Sequence, residues 1–254
     1  MKKVVILGAG NLATHLGRAL IQSGNQVLQI FSRNPDSGKP LAKEWKSEWI
    51  GEWNLINPQA DFYLIALPDS ILPEISEYIS FHQGFWVHCS GASPLGFLEK
   101  VSNQIGVIYP LQTFSKELAL DFSKVPLFLE SGREEDLPFL MDLAQGISEF
   151  IYPVSSEKRL RIHLAAVFAN NFSNHLFRIS EEILLDSGLS MEVLFPIMAE
   201  TLRKAILLGP QKAQTGPALR RDQGTMDLHL EILKSYPALS SIYQLISTDI
   251  LENP

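Results

Sequence analysis

In "VVILGAGNLATHLG", residues 4–17, a run of β-branched residues meets Gly8 and Gly10, and Ala13 follows inside a helix-like pattern. Gly8 allows a tight turn after a strand, Gly10 lets the backbone come close to a diphosphate, and Ala13 lets a helix sit close on a sheet. Asn11 and Leu12 then open that helix, whose free N–H groups and positive dipole end face an anion. The combination is a place to hold a dinucleotide. Tight strand-to-helix turns also use glycine for structural reasons alone.

The end of the next apolar run bears on which dinucleotide. An acidic residue there would take the ribose hydroxyls, but the chain reads Ile30-Phe31-Ser32-Arg33-Asn34, with no acid before Asp36. The Ser32 hydroxyl and the forked Arg33 guanidinium suit a 2′-phosphate, so NADP is favoured over NAD. The alternative is that Arg33 is an ordinary surface arginine. Leu67 and Pro68 in "LIALPDS" (64–70) are placed to line the cofactor, or form a plain turn and cap.

Candidates for chemistry lie further on. "VHCSGASPLGF" (87–97) ends an apolar run in a Ser-Gly-Ala-Ser cluster, where Ser90 could hydrogen-bond a substrate carbonyl or carboxylate, or simply shape a turn. No base stands at nucleophile-elbow spacing, which argues against a serine hydrolase, and Cys89 reads as a core residue rather than a catalytic thiol. His88 has no assigned role. In "IHLAAVFANNFSNHLFRI" (162–179), His163, Asn170 and Asn174 fall near one line at 100° per residue, on a helix otherwise apolar and therefore expected to be buried. Such a stripe serves an internal polar network or a ligand. In the second case the His163 imidazole suits proton donation near neutrality, and the asparagines could orient a carbonyl or imine. "TGPALRRD" (215–222) sets Arg220 and Arg221 beside Asp222, either for an anion or a partner, or for local pairing and capping.

The elements that must position these residues read as α/β. Strands are expected at 3–8, 26–32, 61–67, 85–90, 105–110 and 125–131, and their near-continuous apolar character suits a sheet covered on both faces. Beyond Tyr152-Pro153-Val154 the pattern is helical, roughly over 156–187, 190–209 and 225–249, with a glycine C-cap near 188 and Ser190 as N-cap. The expected architecture is a doubly wound, mostly parallel sheet over 1–153 followed by an all-helical domain over 154–254.

The 254 residues leave ample material for a core. A formal net charge of −7 gives no basic excess of the kind nucleic acid or an anionic membrane attracts, so a small-molecule substrate is expected. The single cysteine excludes an internal disulfide and a multi-cysteine metal cage, so no metal is expected. No signal-peptide core or membrane-spanning run is present, and a cytoplasmic location is expected.

Taken together, "GAGNLA", "HCSGA", "YPLQTFS" (109–115), "HLAAVFANNF" and "TGPALRRD" resemble a group of bacterial Rossmann-like proteins with a C-terminal helical domain of uncharacterised function. These are described as NADP oxidoreductases and are similar to pyrroline-5-carboxylate reductase, ketopantoate reductase and the 3-hydroxyisobutyrate dehydrogenases, whose helical domains suggest the 6-phosphogluconate dehydrogenase C-terminal type. The resemblance implies an NADP-dependent reductase or dehydrogenase; hydride would pass between nicotinamide and a C=O or C=N carbon in an interdomain cleft, and on the residues' own chemistry His163 is expected as proton donor with Ser90 and Asn170 as orienting groups. It also implies a homodimer. Two departures stand out: the group pattern has a histidine where this chain has Tyr109, and the lysine–asparagine pair of the hydroxyacid dehydrogenases is represented only by Lys158, with Ile162 one turn on. They leave open a non-catalytic dinucleotide-binding or scaffold protein that retained the fold.

Overall fold

The computed structural model describes residues 1–80 and 83–253. Among them the chain divides into two compact units, residues 1–170 and 171–254. The first holds an eight-stranded sheet in the order β3-β2-β1-β4-β5-β6-β7-β8. The strands are β1 (Lys3–Leu7), β2 (Gln26–Phe31), β3 (Glu48–Ile50), β4 (Phe62–Ile65), β5 (Phe85–His88), β6 (Gln104–Pro110), β7 (Leu127–Ser131) and β8 (Ile151–Pro153).

The helices of this unit are α1 (Asn11–Gln22), α2 (Pro35–Trp45), α3 (Ile75–Tyr78), α4 (Leu137–Gln145) and α5 (Ser156–Ala166). Alternation along β1 explains why its sequence is apolar from Val4 to Leu7. Val4 and Ile6 join the core with Leu16 and Leu20 of α1, while Val5 and Leu7 join a second core with Ile75 of α3 and Trp86 of β5. A strand covered on both faces has no polar side to show.

Neighbouring strands are parallel except β6 and β7, where Gly106 pairs with Ser131 and Pro110 with Leu127 in antiparallel register. The expected mostly parallel doubly wound sheet is therefore present, with the last two strands, β7 and β8, reversed against the rest. The strand order changes direction between β1 and β4, and a crevice beyond their carboxyl ends is where α/β sheets gather ligands. Here Gly8 N donates to the Phe31 carbonyl at 2.9 Å and Ala66 N to the Leu7 carbonyl at 2.8 Å, so three strand ends are fastened side by side.

The helical unit contains α6 (Ser173–Leu185), α7 (Phe195–Leu208), α8 (Pro210–Ala213), α9 (Gln223–Ile232) and α10 (Pro237–Glu252). Gly188 has φ +71° just past α6, the left-handed geometry that ends helices, and Ser190 occupies the following N-cap without a side-chain bond. Pro237 at the head of α10 divides the helix expected over 225–249.

One expectation needs correction. The helix expected from 156 to 187 is interrupted by a π-turn at Val167–Phe172, so a uniform 100° rotation does not describe His163, Asn170 and Asn174. Nor is the segment buried in a single chain: Leu164 is 56% and Phe168 62% exposed. An apolar run by itself does not establish that its own chain buries it.

Candidate active site

At the glycine turn, Gly8 has φ +127°, and a Cβ there would overlap the Ala66 carbonyl, so both geometry and space require glycine. Gly10 differs. It is the N-cap of α1 in extended geometry, no side chain caps the helix, and an added Cβ would meet nothing within 4 Å. Among the described residues the first amides of α1, at Asn11 and Leu12, have no acceptor, as an anion site requires. Ala13 is fully buried against the core, and Leu12 is partly so. The Asn11 amide is turned aside, donating to the Phe114 carbonyl at 2.8 Å.

Ser32 is buried just past β2, and its hydroxyl donates to the Asn34 carbonyl at 2.9 Å while lying 3.1 Å from Ser37 Oγ. It shapes the turn into α2. Arg33 beside it is exposed, and among the described residues it has no carboxylate partner, which leaves its guanidinium available to a phosphate. Leu67 is half-buried against the second core; Pro68 is exposed and starts a short 3₁₀ turn, Asp69–Glu74.

The carboxyl end of β5 is tightly organised. The Ser90 hydroxyl accepts from Ala92 N at 3.2 Å and Ser93 N at 2.9 Å, and Ser90 N donates to His88 Nδ1 at 3.2 Å. His88 is fully buried. Desolvation, aided by the Arg159 cation and opposed by the Pro94 carbonyl, drops its pKa from 6.5 to about 3, so the ring stays neutral. Burial pushes the Cys89 thiol far up, with the Asp69 charge adding, and leaves it inert as a nucleophile.

Helix α5 brings two side chains to this edge. Ser155 caps it, accepting from Lys158 N, and Arg159 and His163, four residues apart, share one face. Arg159 is 1% exposed: Nη1 donates to the Ser90 carbonyl at 2.7 Å and Nη2 to Glu130 Oε2 at 2.9 Å. Ser156 Oγ donates to the same carboxylate at 2.7 Å, so the buried ion pair has its hydrogen bonds filled. One turn on, His163 Nδ1 lies 3.0 Å from the Tyr109 hydroxyl, with the rings edge to face. Gly91 makes room for the pair, since a Cβ there would stand 2.6 Å from His163 Nδ1 and 2.7 Å from Tyr109 Cζ.

Burial raises the Tyr109 phenol, the Asp69 charge adds to this, and the Arg159 cation partly opposes it. The phenol thus stays protonated, and its hydroxyl donates to Nδ1 or accepts from it according to the imidazole tautomer. Of the residues expected to do chemistry, Ser90 and His163 are brought together around Gly91. Asn170 is exposed on the π-turn, with no hydrogen bond to Ser90, Tyr109 or His163, and Lys158 is exposed. Sequence reasoning passed over Glu130 and Arg159, and met Tyr109 only as a departure from the group pattern. The i, i+4 spacing of Arg159 and His163 was the available signal. In the helical unit, Asp222 caps α9 through Thr225 N at 3.1 Å, and Arg220 and Arg221 are exposed.

Comparison with known proteins agrees with this geometry. Residues 3–85 match the family described as NADP oxidoreductase coenzyme F420-dependent, and residues 125–250 match domain of unknown function DUF2520. No curated protein matches the chain. Among solved structures, the candidate NADP oxidoreductase BF3122 from Bacteroides fragilis is 37% identical, with 99% of this chain and 98% of that one covered and a TM-score of 0.93. An imine reductase from Myxococcus stipitatus in complex with NADP+ is 13% identical over 98% and 93% of the two chains, at a TM-score of 0.67. A 1-pyrroline-5-carboxylate reductase from Streptococcus pyogenes is 13% identical over 99% and 98%, at 0.60. The last two share the fold.

Proposed function

We propose a function from the premise that the chain belongs to the family of NADP-oxidoreductase-type Rossmann proteins carrying a DUF2520 region, with the Bacteroides protein as a relative. It is an NADP-dependent reductase or dehydrogenase acting on a C=O or C=N group of a small molecule. NADPH, when bound, supplies the hydride. Gly8 and Gly10 admit its diphosphate to the amides of Asn11 and Leu12, Arg33 meets the 2′-phosphate from the turn that Ser32 shapes, and Leu67 and Pro68 lie along it.

The chain's own part in the chemistry is proton handling. His163 presents Nε2–H to the substrate heteroatom, and Tyr109 holds the ring through Nδ1 and can return a proton to it. Ser90 positions Gly91 and, with the Arg159 cation behind its carbonyl, keeps the strand end rigid; Asn170 is the more distant candidate for orienting substrate. The Tyr109–His163 hydrogen bond over Gly91 carries this reading. The test is NADPH consumption with a panel of cyclic imines, ketones and 2-oxo acids, repeated with reduced F420 because the family description names that coenzyme. Tight NADPH binding without turnover of any compound, and without loss on His163→Ala, would favour a non-catalytic binding protein instead.

The reading includes a homodimer. Within residues 171–253 the buried apolar side chains are only Ile179, Ala218, Met226 and Leu233, while Leu202, Ile206 and Leu245 are 63%, 72% and 73% exposed. An apolar groove of about 280 Å³ opens between Leu176, Leu233, Ile242 and Ile246. Exposed area on this scale belongs against another subunit, and a second copy is the partner the family plan supplies. Sedimentation at micromolar concentration reports it directly.

A further inference from the structure

The segment after β6 returns to the glycine turn. Three successive residues are tied there: the Phe114 carbonyl accepts from Asn11 Nδ2 at 2.8 Å, the Ser115 carbonyl lies 2.9 Å from His15 Nε2, and Lys116 Nζ donates to the Ala9 carbonyl at 2.8 Å. The rings of His15 and Phe114 lie 5.6 Å apart, closing the same contact. A short strap thus fixes an ammonium group on the residue between the two glycines.

That ammonium is held by a backbone carbonyl rather than by a carboxylate. Lys2, Lys124 and Lys234 each pair with a carboxylate. Lys116 is half-buried and, among the described residues, has no carboxylate partner, only a carbonyl. An ammonium has three donors, and a single carbonyl uses one of them. The remaining donors stand next to the uncapped first turn of α1, with the open space beside Gly10. A partly desolvated cation without a counter-charge, beside unsatisfied amides, fits an incoming anion.

We infer that Lys116 is a ligand of the cofactor's diphosphate, held in place by the strap before the cofactor arrives. The inference rests on the reading of the glycine turn as the NADP(H) site. It assigns the diphosphate a charged partner to add to backbone amides, and it separates two recognition points: Lys116 for the diphosphate and Arg33 for the 2′-phosphate.

The experiment titrates the full-length wild type, Lys116→Gln and Lys116→Arg with NADPH and with adenosine 2′-monophosphate, which lacks the diphosphate. Failure of the wild type to bind NADPH would overturn the cofactor reading itself. Given wild-type binding, Lys116→Gln is expected to weaken NADPH by about tenfold, to flatten the salt dependence of binding and to leave adenosine 2′-monophosphate within about twofold, with Lys116→Arg recovering part of the loss. Glutamine retains an N–H for the Ala9 carbonyl, so the strap is kept. Unchanged NADPH affinity in Lys116→Gln, or an equal loss for both ligands, would overturn the inference, the second result marking a merely structural lysine.

Discussion

The Tyr109 hydroxyl lies 3.0 Å from Nδ1 of His163, two residues 54 positions apart in the sequence, one near the carboxyl end of β6 and one on the helix that follows the sheet. Removing the hydroxyl leaves the ring unanchored and without a proton source. Tyr109→Phe should lower kcat by about 10- to 100-fold while NADPH affinity stays within about twofold, as expected for loss of general acid support rather than binding. Steady-state kinetics beside NADPH titration checks this; equal kcat in the variant would remove Tyr109 from the mechanism.

Gly91 permits that pair to form. A methyl group there would stand 2.6 Å from His163 Nδ1, so Gly91→Ala must push the imidazole or the phenol away. Turnover should fall by about tenfold or more, because small displacements of catalytic groups are costly. A crystal structure of the variant should show the hydrogen bond lengthened or lost.

Arg33 is exposed and unpaired among the described residues at the end of β2. Arg33→Ala should weaken NADPH by at least about tenfold and NADH by less than about twofold, since only the former has a 2′-phosphate for the guanidinium to grip. Parallel titrations decide it, and equal weakening would remove the arginine from cofactor discrimination.

The Arg159–Glu130 pair is buried on the arginine side, at 1% exposure against 15% for the carboxylate. Arg159→Met strips the cation from Glu130 and the donor from the Ser90 carbonyl. The expected cost is about 3 kcal/mol in urea unfolding, in keeping with breaking a buried pair from one side.

His88 makes stability depend on acid. Its folded pKa of about 3 lies below the ordinary 6.5, so between those values the unfolded chain binds a proton that the native chain refuses. Its contribution is complete above about pH 6.5 and is lost as pH falls toward 3, with a slope of at most about 1.4 kcal/mol per pH unit. Unfolding curves at several pH values should therefore be flatter over this window in His88→Asn than in the wild type.

Much of the sheet unit is legible in the chain because its signals are local. The apolar run from Val4 to Leu7 and the two glycines after it each follow from a few neighbouring residues. The three-residue strands β3 and β8 escape notice because they hold too few alternations to show a period. Tyr109 and His163 meet only through tertiary structure, and Arg159 stands next to Lys158, whose type drew attention first although it is exposed. The π-turn defeats a projection that assumes regular rotation. The apolar helices mislead in another way, since a hydrophobic pattern does not establish that its own chain buries it.

The two strands at the margins of the sheet, Glu48–Ile50 and Ile151–Pro153, are each three residues long, and the second ends in a proline. So short a row of free backbone groups, with one N–H missing, gives a foreign strand little to zip onto. A broad sheet with margins blunted in this way is guarded against amyloid-like stacking.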